Sequence, residues 1–402
     1  MKLLIIILVV VYSLFDLLVL YIKVRSSKNK IPENVSDVYN EDEYKKWTSY
    51  MKEKNKNSLI CKLTSILLIV FVLTFDILKF VGEISTNVYL SSIIVFVSYS
   101  TIETILYTIF EYIDTMKIEE KYGFNKTTKK TFFSDAIINY VISITLTTSL
   151  MCLFIYIYTK LGVYTILLFS GILLIIVLVL VFLYPLFSKI YNKFTPLEEG
   201  SLREKLIKLL NDNGYKIREI KVMNGSKRST KANAYFNGAG KTKDIVLYDT
   251  ILETLTEDEI VAVFAHEVAH GKYKHIIKGY ITNIINILLL VGLIYLVVLK
   301  GDIISQAFGF QKINYGFLMI VAPLSIISYF SVFLAIGNNY ISRVHEYQAD
   351  KFAKDKGYSS ELISSLKKLA KKNYNNLAVS KIVKVLEYSH PTLSERVSAL
   401  EK

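Results

Sequence analysis

The chain has only two cysteines in 402 residues, Cys61 and Cys152, both inside apolar runs and never as C-x-x-C. That excludes a disulfide framework and a zinc site built from thiolates. Histidine is also scarce, at five, as is proline, at five. No solenoid-period repeat, low-complexity tract or basic-aromatic nucleic-acid motif occurs. The net charge of +13 therefore does not itself imply nucleic acid, and it fits inside loops that meet anionic lipid headgroups.

Apolar sequence is abundant: 52% of residues are hydrophobic against 21% charged, so the charges must be segregated from the apolar runs. Runs at 3–22, 59–81, 88–112, 136–158, 163–187, 280–299 and 317–336 each approach or exceed the roughly 20 residues a membrane helix needs. Seven spans are expected. The first has the Lys2 of a signal peptide, but it is longer than an h-region, lacks an A-x-A-like site and is followed by "KVRSSKNK". It reads as a retained helix. Lys and Arg collect at 23–57 and 117–130, whereas "GEIST" has neither and only Lys160 lies between the fourth and fifth runs. The positive-inside bias puts the N-terminus outside, with 188–279 and the tail from 338 in the cytosol. The expected organisation is 1–187 with spans 1–5, a cytosolic catalytic segment at 188–279, spans 6–7 at 280–337, and a cytosolic segment at 338–402.

Within 188–279, Leu202, Leu206, Leu209 and Leu210 predict a helix starting near Pro196 and stopping at Gly214. "IREIKVMNGS" and "NAYFNGAGKTKDIVLYD" predict short strands, the second pair joined by a Gly-rich turn. "TEDEIVAVFAHEVAHGKYKH" predicts a helix with Thr256 as N-cap and acidic residues at its positive end. "GNNYISRVHEYQADKFAKDKGY" predicts another helix after the last span.

Three of the five histidines fall within "AHEVAHGKYKH". His266 and His270 are four apart, about 40° of helical rotation, so both imidazoles reach one ion. Glu267 lies beside that face, placed for proton transfer rather than ligation. His275 is about 180° round from His266 and joins only if the helix ends first. A catalytic metal needs a third protein ligand. Glu346 is the candidate, with Asp350 on the same face to accept a ligand His N–H. A surface Arg343/Glu346 ion pair is the alternative. His345 and His390 are rival ligands, and His390 in "SHPT" suits a donor to a developing oxyanion or a cap without a role. Asp16, Asp76, Glu103 and Glu111 lie in spans, where ionised groups are costly. Asp76 and Glu111 fit the interface, while Asp16 and Glu103 point to a hydrated interior.

With these residues in place, the chain resembles the CAAX prenyl protease 1 family. "AHEVAHGKYKH" and "SRVHEYQADKFA" carry the likeness, with "KYGFNKTT", "FTPL" at 194–197, "GSKRSTKANAYF", "DIVLYDTIL" and "YSHPTLSER" in the family's order. The resemblance implies a mainly α, polytopic membrane protein with seven helices around a water-filled chamber. Its cytosolic zincin-like part contains a small β-sheet. It implies Zn2+ on His266, His270 and Glu346, Glu267 as general base, and Asp350 orienting a ligand histidine. Asn233 and His390 would contact the substrate backbone or the tetrahedral intermediate, and Ile245, Val246, Leu247 and Tyr248 would form an edge strand for an extended peptide. The implied activity is endopeptidase cleavage near the C-terminus of CaaX-type peptide or protein substrates, releasing a prenylated tripeptide. Heavy use of Ile, Lys, Asn and Tyr leans toward a bacterial, AT-rich source, for which the membrane is the plasma membrane and the substrate open; a eukaryotic source implies the endoplasmic reticulum. Two alternatives stand beside this: a quality-control metalloprotease of the heat-shock type, and a transporter or scaffold with structural zinc, which would need a fourth ligand.

Overall fold

A computed structural model describes residues 1–227, 234–237 and 242–402, giving the backbone alone for 180–191, 217, 234–237 and 242–244. Helices α1 (Lys2–Ser26), α2 (Glu41–Thr74), α3 (Ile77–Gly82), α4 (Val88–Ile113), α5 (Lys129–Leu161) and α6 (Thr165–Tyr191) come first. Then follow α7 (Ser201–Asp212), α8 (Asp249–Thr254), α9 (Glu257–Lys272), α10 (His275–Leu299), α11 (Gly301–Ala307) and α12 (Tyr315–Ala322). The chain closes with α13 (Ser328–Asp355), α14 (Ser359–Lys372), α15 (Lys381–Glu387) and α16 (Leu393–Glu401).

Among the described residues, six uninterrupted helical stretches are long and apolar enough to cross a membrane, against seven expected spans. The runs at 136–158 and 163–187 share one stretch, Lys129–Val179, which a 3-10 turn at Gly162–Tyr164 divides into α5 and α6. Gly162 has a φ of +51° there, which a side chain would strain. Leu3, Leu67 and Leu167 on these stretches are at least 70% exposed, a surface suited to lipid. The last stretch, Tyr315–Asp355, runs unbroken through a wide π-type turn at Pro323–Ile327. The helix expected after residue 337 is thus the continuation of the last span, because no breaker separates them.

The charges within the spans find different solutions. Asp16 forms an ion pair with Lys62 of α2, so the inference of a hydrated interior from Asp16 is not needed. Asp76 accepts from Lys2 at 2.7 Å at the end of α2, as an interfacial residue should. Glu103 is half-buried, and among the described residues no cation pairs with it.

The sheet has strands β1 (Phe194–Pro196), β2 (Lys216–Met223), β3 (Ala234–Asn237) and β4 (Thr242–Tyr248), in the order β1-β2-β4-β3. β1 replaces the expected helix start at Pro196, which sits on an edge where its missing N–H is tolerated. β4 pairs in parallel with β2 and antiparallel with β3. This corrects the edge-strand expectation: Ile245, Val246 and Leu247 have partners on both sides, Phe236, Tyr235 and Ala234 on one, Ile220, Lys221 and Val222 on the other. Tyr248 pairs with Met223. The strand is interior because the β3–β4 hairpin folds outward and leaves β3 at the margin.

One core unites α7, the sheet, α9 and α13 through Leu206, Leu210, Ile245, Leu247, Phe264, Val268 and Phe352. Ala262, Ala265 and Ala269 of α9 join Ala349 and Ala353 of α13 in the same core. Small side chains let the two helices approach closely. That approach sets the polar face of α9 against Glu346. A second core holds the tail: Tyr39 and Trp47 pack with Ala370, Leu377 and Val397, and Trp47 Nε1 donates to the Tyr374 carbonyl at 3.0 Å.

Candidate metal centre

Helix α9 opens with a capping box: the Thr256 hydroxyl accepts from the Glu259 N–H, and the Glu259 carboxylate accepts from the Thr256 N–H at 2.8 Å. Three turns on, His266 is buried and His270 half-buried on one face. From α13, buried Glu346 and Asp350 meet that face. His266 Nε2 stands 3.4 Å from Glu346 Oε2, His270 Nε2 stands 3.4 Å from Glu346 Oε1, and the two Nε2 atoms are 3.2 Å apart. His266, His270 and Glu346 are the one group of three potential ligands so clustered among the described residues.

Each of these histidines is held from behind. His266 Nδ1 lies 2.9 Å from Asp350 Oδ1, the contact expected of a carboxylate orienting a ligand. Asp350 in turn accepts two bonds from Arg396 of α16, at 2.6 and 2.8 Å. Arg396 has no signal in the sequence beyond lying in "SHPTLSER". His275 departs from expectation: α9 ends at Lys272, Lys274 takes a φ of +58°, and the chain swings His275 back to 3.1 Å from His270 Nδ1. His345 is no ligand here; its ring stacks on His275 with centroids 3.9 Å apart. Arg343 does not pair with Glu346. It donates to the carbonyls of Lys384 and Tyr388, and so fastens the turn that carries His390.

His390 Nε2 comes within 3.5 Å of Glu346 Oε1, while its Nδ1 lies 2.9 Å from the Ser389 hydroxyl. If that hydroxyl donates, Nε2 carries the proton and faces the centre. Glu267, His270, Glu346 and His390 all line one cleft of about 530 Å³, which continues between α10 and α13 past Asn283 and Asn338. Asn233 lies outside the described residues.

The electrostatics favour a cation. Glu346 Oε2 is buried without a hydrogen-bond partner. Burial would raise the Glu346 carboxyl, but the facing His266, His390 and Arg396 hold it at about 2. Burial opposes the His266 proton as well, yet Asp350 and Glu346 keep its pKa at about 9. His270, desolvated and beside His266, is pushed down to about 4. Burial raises the Glu267 carboxyl above its ordinary range, with His266 and Arg396 opposing the shift. Two imidazoles, one orphaned carboxylate oxygen and no thiolate are the donor set of a catalytic metal site with an open position. The residues fit a metal.

Comparison with known proteins adds two family matches. Residues 20–189 match the CAAX prenyl protease N-terminal model with its five membrane helices, and residues 196–402 match peptidase family M48. The rice (Oryza sativa subsp. japonica) CAAX prenyl protease 1 homolog is 31% identical over 392 residues, covering 92% of this chain and 90% of its own. CAAX prenyl protease 1 of Saccharomyces cerevisiae is 34% identical over 322 residues, covering 75% and 70%. The crystal structure of Ste24p from S. mikatae superposes with a TM-score of 0.90 at 26% identity, over 100% of this chain and 99% of that one.

Proposed function

The chain is a multi-pass membrane metallopeptidase of family M48 and belongs with the CAAX prenyl proteases 1, and from that premise we propose that its metal is zinc and its substrates are prenylated CaaX-type chains cut near their C-terminus. One observation carries the zinc assignment. The two Nε2 atoms are 3.2 Å apart, and each stands 3.4 Å from a different oxygen of the Glu346 carboxylate, His266 from Oε2 and His270 from Oε1. A tetrahedral ion with bonds of 2.0–2.1 Å has ligand–ligand edges of about 3.3–3.4 Å. His266, His270 and Glu346 would hold it.

When bound, zinc acidifies a water and polarises the scissile carbonyl. Glu267 would take the proton of the attacking water and later return it to the leaving amine. The His390 Nε2–H donates to the developing oxyanion. Asp350 fixes His266 by accepting its Nδ1–H. An extended peptide pairs with β3, the sheet margin that packs against α9 and directly follows Asn233. Ile245–Tyr248 support that margin from within.

The site belongs on the cytosolic side, with the N-terminus outside and Glu103 facing a hydrated interior. Support comes from the Lys-rich segment 23–57, whose Lys23 pairs with Glu387 and whose Trp47 packs on the tail. The five-helix N-terminal match favours this reading over a heat-shock-type protease, and the three-ligand centre favours it over structural zinc. Catalytic parts then lie at 188–279 and 338–402, and membrane parts at 1–187 and 280–337.

The test is Glu267→Ala in detergent-solubilised protein. Zinc content should stay near that of the unaltered protein while cleavage falls roughly 10²–10⁴-fold. Undiminished cleavage would overturn the assignment. Prenylated and unprenylated peptides of one sequence should differ in turnover; equal rates would remove the CaaX specialisation.

A further inference from the structure

We propose that His275 and Gln348 are positioning residues that fix the tautomer of His270, an inference that rests on the zinc site proposed above. If His270 Nε2 is to keep its lone pair for the metal, the ring proton must sit on Nδ1. That nitrogen lies 3.1 Å from His275 Nδ1. His275 must therefore accept there and carry its own proton on Nε2. Its Nε2 stands 2.8 Å from Gln348 Oε1, an acceptor. The proton pattern closes: His270 donates to His275, and His275 donates to Gln348.

The relay is built rather than incidental. The left-handed Lys274 ends one helix and starts the next, which is what turns His275 toward His270. His275 is buried, and stacking against His345, with rings 10° from parallel, holds its plane. Gln348 comes from α13, two residues beyond Glu346, so one helix supplies a metal ligand and the end of the relay. The two ligand histidines are then supported differently. His266 leans on the carboxylate of Asp350, whereas His270 leans on a neutral imidazole and amide. A carboxylate acceptor makes its imidazole the stronger donor to metal.

A glutamine side chain can present either its oxygen or its amino group, whereas a glutamate can only accept. The test uses that difference in the full-length protein, with zinc retention measured by chelator competition. His275→Ala and Gln348→Leu should each lower retention about 10- to 100-fold. Gln348→Glu should hold zinc at least as tightly as the unaltered protein, which loss of packing alone would not predict. Cobalt-loaded His275→Ala should show a shifted visible spectrum. Because Gln348 is exposed, its two variants remain informative if His275→Ala fails to fold. Wild-type retention in His275→Ala, or equal loss in Gln348→Glu and Gln348→Leu, overturns the relay. Glu346→Ala is run alongside: if it retains zinc, the metal site falls and the relay with it; if it loses zinc while His275→Ala does not, the relay alone falls.

Discussion

Two buried carboxylates face the centre from α13, and a single guanidinium, that of Arg396, answers both. Its side chain is only 11% exposed, it binds Asp350 through two nitrogens, and its Nη1 lies 3.6 Å from Glu346 Oε2. Replacing it with a methionine of similar length removes both guanidinium bonds to buried Asp350 and leaves it His266 as a cationic neighbour, a loss of about 1–3 kcal/mol. Arg396→Met should therefore lower the unfolding temperature of metal-free protein, and zinc retention with it, because Asp350 would no longer be held against His266. Unchanged melting and metal content would show that Arg396 is a bystander. Arg396→Lys should not restore function, since a single ammonium cannot make the two-pronged contact. This residue was illegible in the sequence for a physical reason. It lies 46 residues beyond Asp350 on a separate short helix, so no helical spacing relates it to either motif.

Helix α9 shows which element boundaries a sequence declares and which it hides. Its start was legible because Thr256 and the acid triplet that follows form a capping signal, and the structure has that box. Its end was not, since the left-handed residue is a lysine rather than a glycine. That is why unbroken helical spacing puts His275 on the far side. The capped end is also tied to α14: Glu259, buried, accepts from Ser364 at 2.6 Å and from Lys368 at 2.8 Å. Burial alone would raise its pKa, but Lys368, Ser364 and the Thr256 N–H outweigh it and leave the carboxyl below its ordinary value. A carboxyl depressed on folding contributes stability above its unfolded pKa, about 4.3, and loses it as pH falls through the folded value. Acid below that window should thus loosen the α9–α14 contact. Glu259→Gln should cost about 1–3 kcal/mol at neutral pH and flatten the acid limb of a melting-temperature profile. An unaltered acid limb in the variant would mean that other carboxylates govern it.

At the scale of the whole molecule, the centre is assembled from α9, α13 and the turn before α16, and the sequence disclosed these parts unequally. The pairing of His266 and His270 with Glu346 was legible, because helical periodicity puts each set on one face and a two-histidine site lacks a ligand. The strand order was not, since β4 pairs in parallel with β2 and leaves β3, which lies between them in sequence, on its other side, a tertiary choice that no local pattern encodes. The docking of the tail was equally hidden. α16 and the loop after α14 are held by Tyr39 and Trp47 from the segment between the first two spans, hundreds of residues earlier. Trp47 is 1% exposed, stacks near Tyr44 and Tyr39, and donates to Tyr374. Removing its ring in Trp47→Ala should cost about 3–5 kcal/mol. The damage should reach the centre through α16, because His266, His270 and Glu346 sit on helices joined by their own core, whereas Arg396, which holds Asp350, adjoins Val397 of the tail core. The expected result is a lower kcat/KM, faster proteolysis of residues 373–402 and a weakened zinc retention like that of Arg396→Met, with Trp47→Phe restoring much of each. Zinc lost as completely as in Glu346→Ala would instead mean that the tail and the metal ligands unfold as one unit.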